Sequence, residues 1–172
     1  MSLHLAPEEP EAEPWRVELL STVIEAVTRG EPGKVVAGRP VVLAVDGRSN
    51  NGKTSLAMRI SRAVPGAVVI HTDDIAWAHS RFGWADLLID GILVPVRHGQ
   101  AVSYRPPRWN EHGREGSIQV PAGCPLLIIE GDGAGRREVA HLIVPRSLSR
   151  IVPAIPPCMR APPSPGRPKH AG

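Results

Sequence analysis

The chain has 172 residues, 42% hydrophobic and 22% charged, with a net charge of +3 and a pI near 9.3. That length suits one domain around a single buried core, and an aromatic content of 3% leaves aliphatic side chains to build it. The mild basic surplus is mostly Arg and forms no dense stripe, which excludes specific nucleic-acid binding as an expectation, and no apolar run is long enough to span a bilayer.

Residues 1–13 carry several Glu and Pro and little that can be buried, and read as a disordered lead-in rather than a secretory leader. The cytoplasm is therefore the expected compartment. Cys124 and Cys158, far apart and without metal-ligand spacing, are expected to be reduced thiols. Pro14-Trp15 opens a segment with Val17, Leu20, Val23, Ile24 and Val27 on one helical face, ended at Gly30. The continuous β-branched run Val41–Val45 predicts a strand buried on both faces, as in a parallel sheet. A glycine-bounded loop follows. Leu56, Ala57, Ile60 and Val64 then keep helical spacing until Pro65-Gly66.

Ala67–Ile70 reads as a second short strand, leading into His71-Thr72-Asp73-Asp74. Trp84–Val94 is expected to be helical with Pro95 near its end. Gln100–Gly123 is polar and irregular, Leu126–Ile129 is a third buried strand ending at Glu130-Gly131, and Arg136–Ile143 reads as a helix. Short buried strands alternating with helices predict a three-layer α/β fold with a parallel sheet over residues 14–144. Residues 145–172, rich in Pro, Arg and Ser, read as a disordered tail unable to sustain a helix or a central strand.

Gly47-Arg48-Ser49-Asn50-Asn51-Gly52-Lys53-Thr54 has the spacing Gly-x-x-x-x-Gly-Lys-Thr, between a predicted strand and a predicted helix. That context defines a P-loop: small residues let backbone N–H groups surround phosphate oxygens, and the following helix N-terminus favours an anion. Lys53 is expected to reach the β- and γ-phosphates of ATP, and Thr54 to offer its hydroxyl to Mg²⁺, with the whole stretch through Ser55 forming the nucleotide cradle. Asn50 and Asn51 stand where small residues are common, but Asn tolerates left-handed backbone.

Ligands of open α/β sheets bind beyond the carboxyl ends of the strands. Asp73-Asp74 and Glu130 lie at two such ends and the P-loop at a third, so all are expected at one crevice. Asp73 is the candidate base for an acceptor hydroxyl, and Asp73 and Glu130 are candidate Mg²⁺ ligands beside Thr54. Helix capping is the competing role for Asp73-Asp74, and a plain turn carboxylate for Glu130. His71 reads as a packed or hydrogen-bonded residue. Tyr104, Arg105, Arg108, Trp109, His112 and Arg114 are able to form a substrate pocket by ring stacking and guanidinium contacts, with an ordinary solvated loop as the equal alternative.

Val41–Ala57, His71–Asp74, Tyr104 and Ile128–Gly131 together resemble the uridine kinase-like P-loop kinases, a group that includes phosphoribulokinase and bacterial pantothenate kinase, and most of all short actinobacterial members. The resemblance covers about residues 14–143. It implies that Asp73, with Asp74 as the nearby alternative, is the base and contributes to Mg²⁺, that Glu130 belongs to a glutamate turn, and that Asp74, Tyr104, His112 and Arg114 lie on the acceptor side. The Tyr-Asp pair that the resemblance implies just before His112 is replaced by Pro107-Arg108, so uridine is not the expected acceptor. The resemblance also implies a further core strand and an Arg-bearing lid, whose pattern is not found from Val144 onward. A truncated or frameshifted C-terminus, leaving the fold incomplete there and phosphoryl transfer weakened, is the expectation.

The functional expectation is an ATP- and Mg²⁺-dependent kinase acting on a small-molecule hydroxyl acceptor. Two alternatives stand beside it: a catalytically impaired nucleotide-binding protein without a lid, and a P-loop NTPase acting on a partner. Oligomeric state is open.

Overall fold

Three of the four strands of the main sheet lie side by side because their aliphatic runs leave little polar face to show to water. The computed structural model describes residues 19–29, 40–47, 49–80, 83–143 and 150–151. Its elements run α1 (Leu20–Arg29), β1 (Val41–Val45), α2 (Lys53–Ala63), β2 (Val68–His71), α3 (Thr72–Ala76), α4 (Ala85–Leu88), a π-helical segment (Ile89–Leu93) and α5 (Val94–Arg97). There follow β3 (Val102–Tyr104), α6 (Pro107–Glu111), β4 (Ile118–Val120), β5 (Leu126–Glu130), α7 (Arg137–Ala140) and β6 (Arg150–Ile151). The main sheet has the order β2-β5-β1-β6 and every described pairing in it is parallel.

Alternate residues of each strand feed opposite layers. Val42, Ala44, Ile70, Leu127 and Ile129 pack with Ile75, Leu88, Ile92, Leu93, Val96 and Val139 on one side. Leu43, Val45, Leu126 and Ile128 pack with Val23 of α1 and with Ala57 and Ile60 of α2 on the other. All five residues of β5 are buried. At about 1.5–3 kcal/mol for each large aliphatic side chain removed from water, this double-sided burial is the main stabilising term. The result is the expected three-layer α/β fold with a parallel sheet.

The chain leaves β1, crosses through α2 to β2, and only later returns to place β5 between them. That reversal of strand order opens a crevice at the carboxyl ends of the strands. The register fixes what lies there. Val45 is paired with Glu130, and His71 with Glu130 from the other side.

Several boundaries differ from expectation for local reasons. The helix expected over Trp84–Val94 runs on through Pro95 to Arg97. A proline has no N–H, and its ring clashes with the carbonyl four residues back. Here the helix widens just before it, Val94 N–H donating to Ile89 O five residues back, and Pro95 fits in the following turn. Gln100–Gly123 is not irregular: β3 and β4 form an antiparallel pair, Val102 opposite Val120 and Tyr104 opposite Ile118. Between them Pro107 starts α6, where a missing N–H costs nothing. α7 is shorter than the expected Arg136–Ile143, because Leu142 and Ile143 reach the core from a turn.

Within the expected tail 145–172, Arg150–Ile151 pair with Ala44 and Val45 as a two-residue strand at the end of the described sheet. These two residues precede Pro153, so the parallel pairing needs no proline N–H. The remainder of that tail, the lead-in 1–13, and Pro14 to Val17 and Gly30 of the first expected helix lie outside the described residues. No helix among the described residues is long and apolar enough to cross a membrane.

Candidate functional site

The loop after β1 carries the geometry its glycines allow. Gly52, at the N-cap of α2, has φ 77, and Asn50 has φ 63. A β-carbon on Gly52 would meet nothing within 4 Å, so the loop is open there. Asn50 thus takes the left-handed conformation that its residue type tolerates. α2 has no side-chain cap and no acidic residue in its first turn. Its first N–H groups therefore face the loop as donors at the positive end of an eleven-residue helix. Lys53 is buried at the first helical position, while Thr54 and Ser55 are exposed. Backbone donors, a helix dipole and an ammonium converge with no carboxylate in that first turn, a donor set that suits a polyphosphate. Arg48 lies outside the described residues.

Asp46, the last residue before this loop, is only 4% exposed. It accepts hydrogen bonds from the backbone N–H groups of Gly47, Gly133 and Gly135 at 2.6, 3.0 and 3.0 Å. The last two donors belong to the turn after β5. Within that turn Gly131 has φ 139, and a β-carbon there would overlap Thr72 Oγ1. The buried Thr72 in turn donates to the Asp132 carbonyl at 3.4 Å. Only glycine satisfies both the backbone conformation and the space.

Glu130 is buried, and its Oε2 lies 2.6 Å from Nδ1 of His71. His71 is thus hydrogen-bonded, as expected of a histidine at a strand end. The pairing is a direct product of register, since the two residues are opposite one another in neighbouring parallel strands. Asp73 is exposed at the start of α3 and makes no hydrogen bond or ion pair among the described residues. Neither Asp73 nor Asp74 caps α3: its N-cap is His71, without a side-chain cap bond.

Asp74 faces the segment between β3 and β4. Its carboxylate pairs with Arg114 at 2.5 Å, and its carbonyl accepts from Trp109 Nε1 at 2.8 Å. The Arg114 guanidinium lies 3.9 Å from the centroid of Trp109 and 5.3 Å from that of Trp77. His112 meets Trp77 edge-on at 5.7 Å. Two indoles, an imidazole and an Arg-Asp pair thus form one cluster beside α3. His79, in the same loop as Trp77, has a buried Nε2 without a hydrogen-bond partner among the described residues. Burial, and secondarily the Arg108 charge, lowers its pKa from the usual 6.5.

The structure thus brings Asp74, His112 and Arg114 together and places Gly47, Ser49–Ser55, Glu130 and Asp73 at the same edge of the sheet. Tyr104 is different. Its ring lies on Gly91 of the π-helical segment, where a β-carbon would come within 2.5 Å of it, and it joins the core packing. Burial, helped by Asp90, raises its pKa. No described contact links it to Asp74 or Arg114. Asp46 and Trp77 were not expected. Asp46 had a signal, a carboxylate directly after a buried strand, which is the rule that selected Asp73 and Glu130. Trp77 had none beyond being aromatic.

Among the described residues, no group of three or more His, Cys, Asp or Glu side chains is placed to hold a metal ion. The expected Mg²⁺ ligands Thr54, Asp73 and Glu130 do not form such a group, and a Mg²⁺ ion at this edge would keep part of its hydration shell.

No family model and no curated protein matches the sequence. Among solved structures, one described as that of a possible uridine kinase from Bacillus stearothermophilus is similar over 73% of this chain and 78% of that chain. Its sequence identity is 21% and its TM-score 0.47.

Proposed function

We propose that this protein binds ATP at Gly47–Ser55 and transfers its γ-phosphoryl group to a hydroxyl of a small-molecule acceptor lying against Asp73. The observation that carries this reading is the pairing of an uncapped, glycine-opened helix N-terminus bearing the buried Lys53 with an exposed, partnerless Asp73 at the same sheet edge. The N–H groups of the loop and Lys53 hold the phosphates and stabilise charge on them. Thr54 would offer its hydroxyl to Mg²⁺, which would supply charge neutralisation to the phosphates. Asp73 accepts the proton of the acceptor hydroxyl as the new O–P bond forms. The bond between the γ-phosphorus and the bridging oxygen breaks, and ADP leaves. Asp74, His112 and Arg114, with Trp77 and Trp109, shape the acceptor side. Glu130, held by His71, belongs to the metal side.

The test is a panel of hydroxylated acceptors with Mg-ATP, run beside an ATP titration by calorimetry. Saturable ATP binding and one phosphorylated product are expected, with that product lost by a factor of about a hundred or more in Asp73→Ala. An Asp73→Ala protein that phosphorylates its acceptor as well as the wild type refutes the assignment. ATP binding with no product from any acceptor leaves a nucleotide-binding protein without transferase activity.

A further inference from the structure

Asp46 occupies a position that burial alone would fill with an aliphatic residue, as it does at Leu43 and Val45. Removing a carboxylate from water is costly unless hydrogen bonds replace the lost hydration. Here both oxygens are used: Oδ1 accepts from Gly47 and Gly133, and Oδ2 from Gly135. Bonds to an ionised acceptor are roughly twice as strong as neutral ones. None of these three goes to a helix or to the sheet. They join the first residue of the loop after β1 to the turn that follows β5, two segments almost 90 residues apart in sequence.

We propose that Asp46 is a positioning residue that locks the Gly47 peptide and the 131–136 turn into one unit and holds the phosphate loop in its anion-accepting shape before ligand arrives. The ligand named here rests on the proposed function; the lock itself rests on geometry. A loop ordered in advance loses less freedom on binding, so the lock acts on affinity. An asparagine has the same shape, but its amide edge is a donor. Whichever way it turns, it opposes either the Gly135 N–H or the Gly47 and Gly133 pair. Asp46→Asn therefore breaks the lock without leaving a cavity.

The experiment compares the full-length wild type, Asp46→Asn and Val120→Ala. The last is a core truncation in β4, away from this edge. Mg-ATP affinity is read by calorimetry, melting temperature by scanning, and amide exchange by mass spectrometry. Asp46→Asn is expected to bind Mg-ATP about tenfold more weakly and to exchange faster over 131–136. Val120→Ala is expected to lose at least as much melting temperature with its affinity unchanged. Wild-type affinity in Asp46→Asn, or an equal loss in Val120→Ala, overturns the proposal. If the wild type itself fails to bind Mg-ATP, the nucleotide reading falls. The lock is then judged by exchange alone: unchanged exchange over 131–136 in Asp46→Asn sinks it, and acceleration confined there supports it. Should Asp46→Asn not fold, Mg-ATP must protect the Gly133 and Gly135 amides of the wild type along with the phosphate loop. Protection confined to the phosphate loop overturns the proposal.

Discussion

The phosphate loop and the Trp77–Arg114 cluster share one edge of the sheet, but they are held together in different ways. Around the phosphate loop the parts are backbone: N–H groups of α2, positive φ at Asn50 and Gly52, and the Asp46 carboxylate on three peptide nitrogens. Around Trp77 the parts are side chains: an Arg-Asp pair, two indoles and an imidazole. A backbone site tolerates little change at the positions whose conformation it needs, because most side chains are strained at positive φ even where space is open, as at Gly52. A side-chain site can be rebuilt one residue at a time. The loop after β1, the proposed nucleotide end, is therefore the fixed half, and the Trp77–Arg114 cluster, the proposed acceptor end, is the half that sequence change can retune.

Substitutions on the two sides can break or sharpen that contrast. The largest expected effect is Trp109→Ala, which empties a buried site and removes the indole donor to Asp74. A loss of about 3–5 kcal/mol in urea unfolding is expected, with Trp109→Phe recovering all but about 1 kcal/mol. Next is Gly131→Ala, which puts a β-carbon onto Thr72 Oγ1 at a positive φ. About 2–3 kcal/mol should be lost, and Thr72→Ser should not restore it, because the overlapping hydroxyl remains. Arg114→Lys keeps the charge but gives up stacking on two indoles, about 1 kcal/mol of stability at a half-exposed site. Its acceptor KM should rise while ATP affinity stays unchanged. Equal damage to ATP affinity would erase the contrast between the two halves.

The smallest effect concerns pH. His79 titrates below its ordinary value in the folded chain, so it stays neutral there while the unfolded chain takes up a proton near pH 6.5. The unfolded state binds more protons in that window, and stability should therefore rise with pH through it and fall on acidification below about 6.5. His79→Gln should flatten this part of the unfolding profile. A slope unchanged in His79→Gln assigns the dependence to another group.

The same contrast explains what could be read from the sequence. The strands were legible because burial on both faces demands unbroken aliphatic runs, as at Val41–Val45 and Leu126–Ile129. The glycine-opened turn between β1 and α2 was legible because its backbone geometry constrains residue type at short, fixed spacing. Asp73, Asp74 and Glu130 followed from the rule that strand ends carry function. The pairing of Glu130 with His71 was not legible, since it depends on β2 and β5 becoming neighbours. The Trp77–Arg114 cluster depends on partners 35 and 40 residues apart, between Asp74 and Trp109 and between Asp74 and Arg114, with no periodicity to announce them. β3 and β4 are three residues each, too short for alternation to register. β6 was hidden by the prolines around it.

The widened turn at Ile89–Leu93 also bears on how this chain can change length. An α-helix advances about 100° per residue, so one residue inserted or deleted ordinarily rotates everything beyond it off the core. A π-turn amounts to one such inserted residue already absorbed, with Ile92, Leu93 and Val96 all still buried around it. Deleting one residue there and replacing Pro95 by a residue with an N–H would leave an ordinary α-helix of nearly the same pitch. It would also withdraw the ledge at Gly91 on which the Tyr104 ring rests. The segment is thus a built-in slack point: the helix can gain or lose a residue there, and the cost falls on the seating of the β3–β4 hairpin rather than on the sheet.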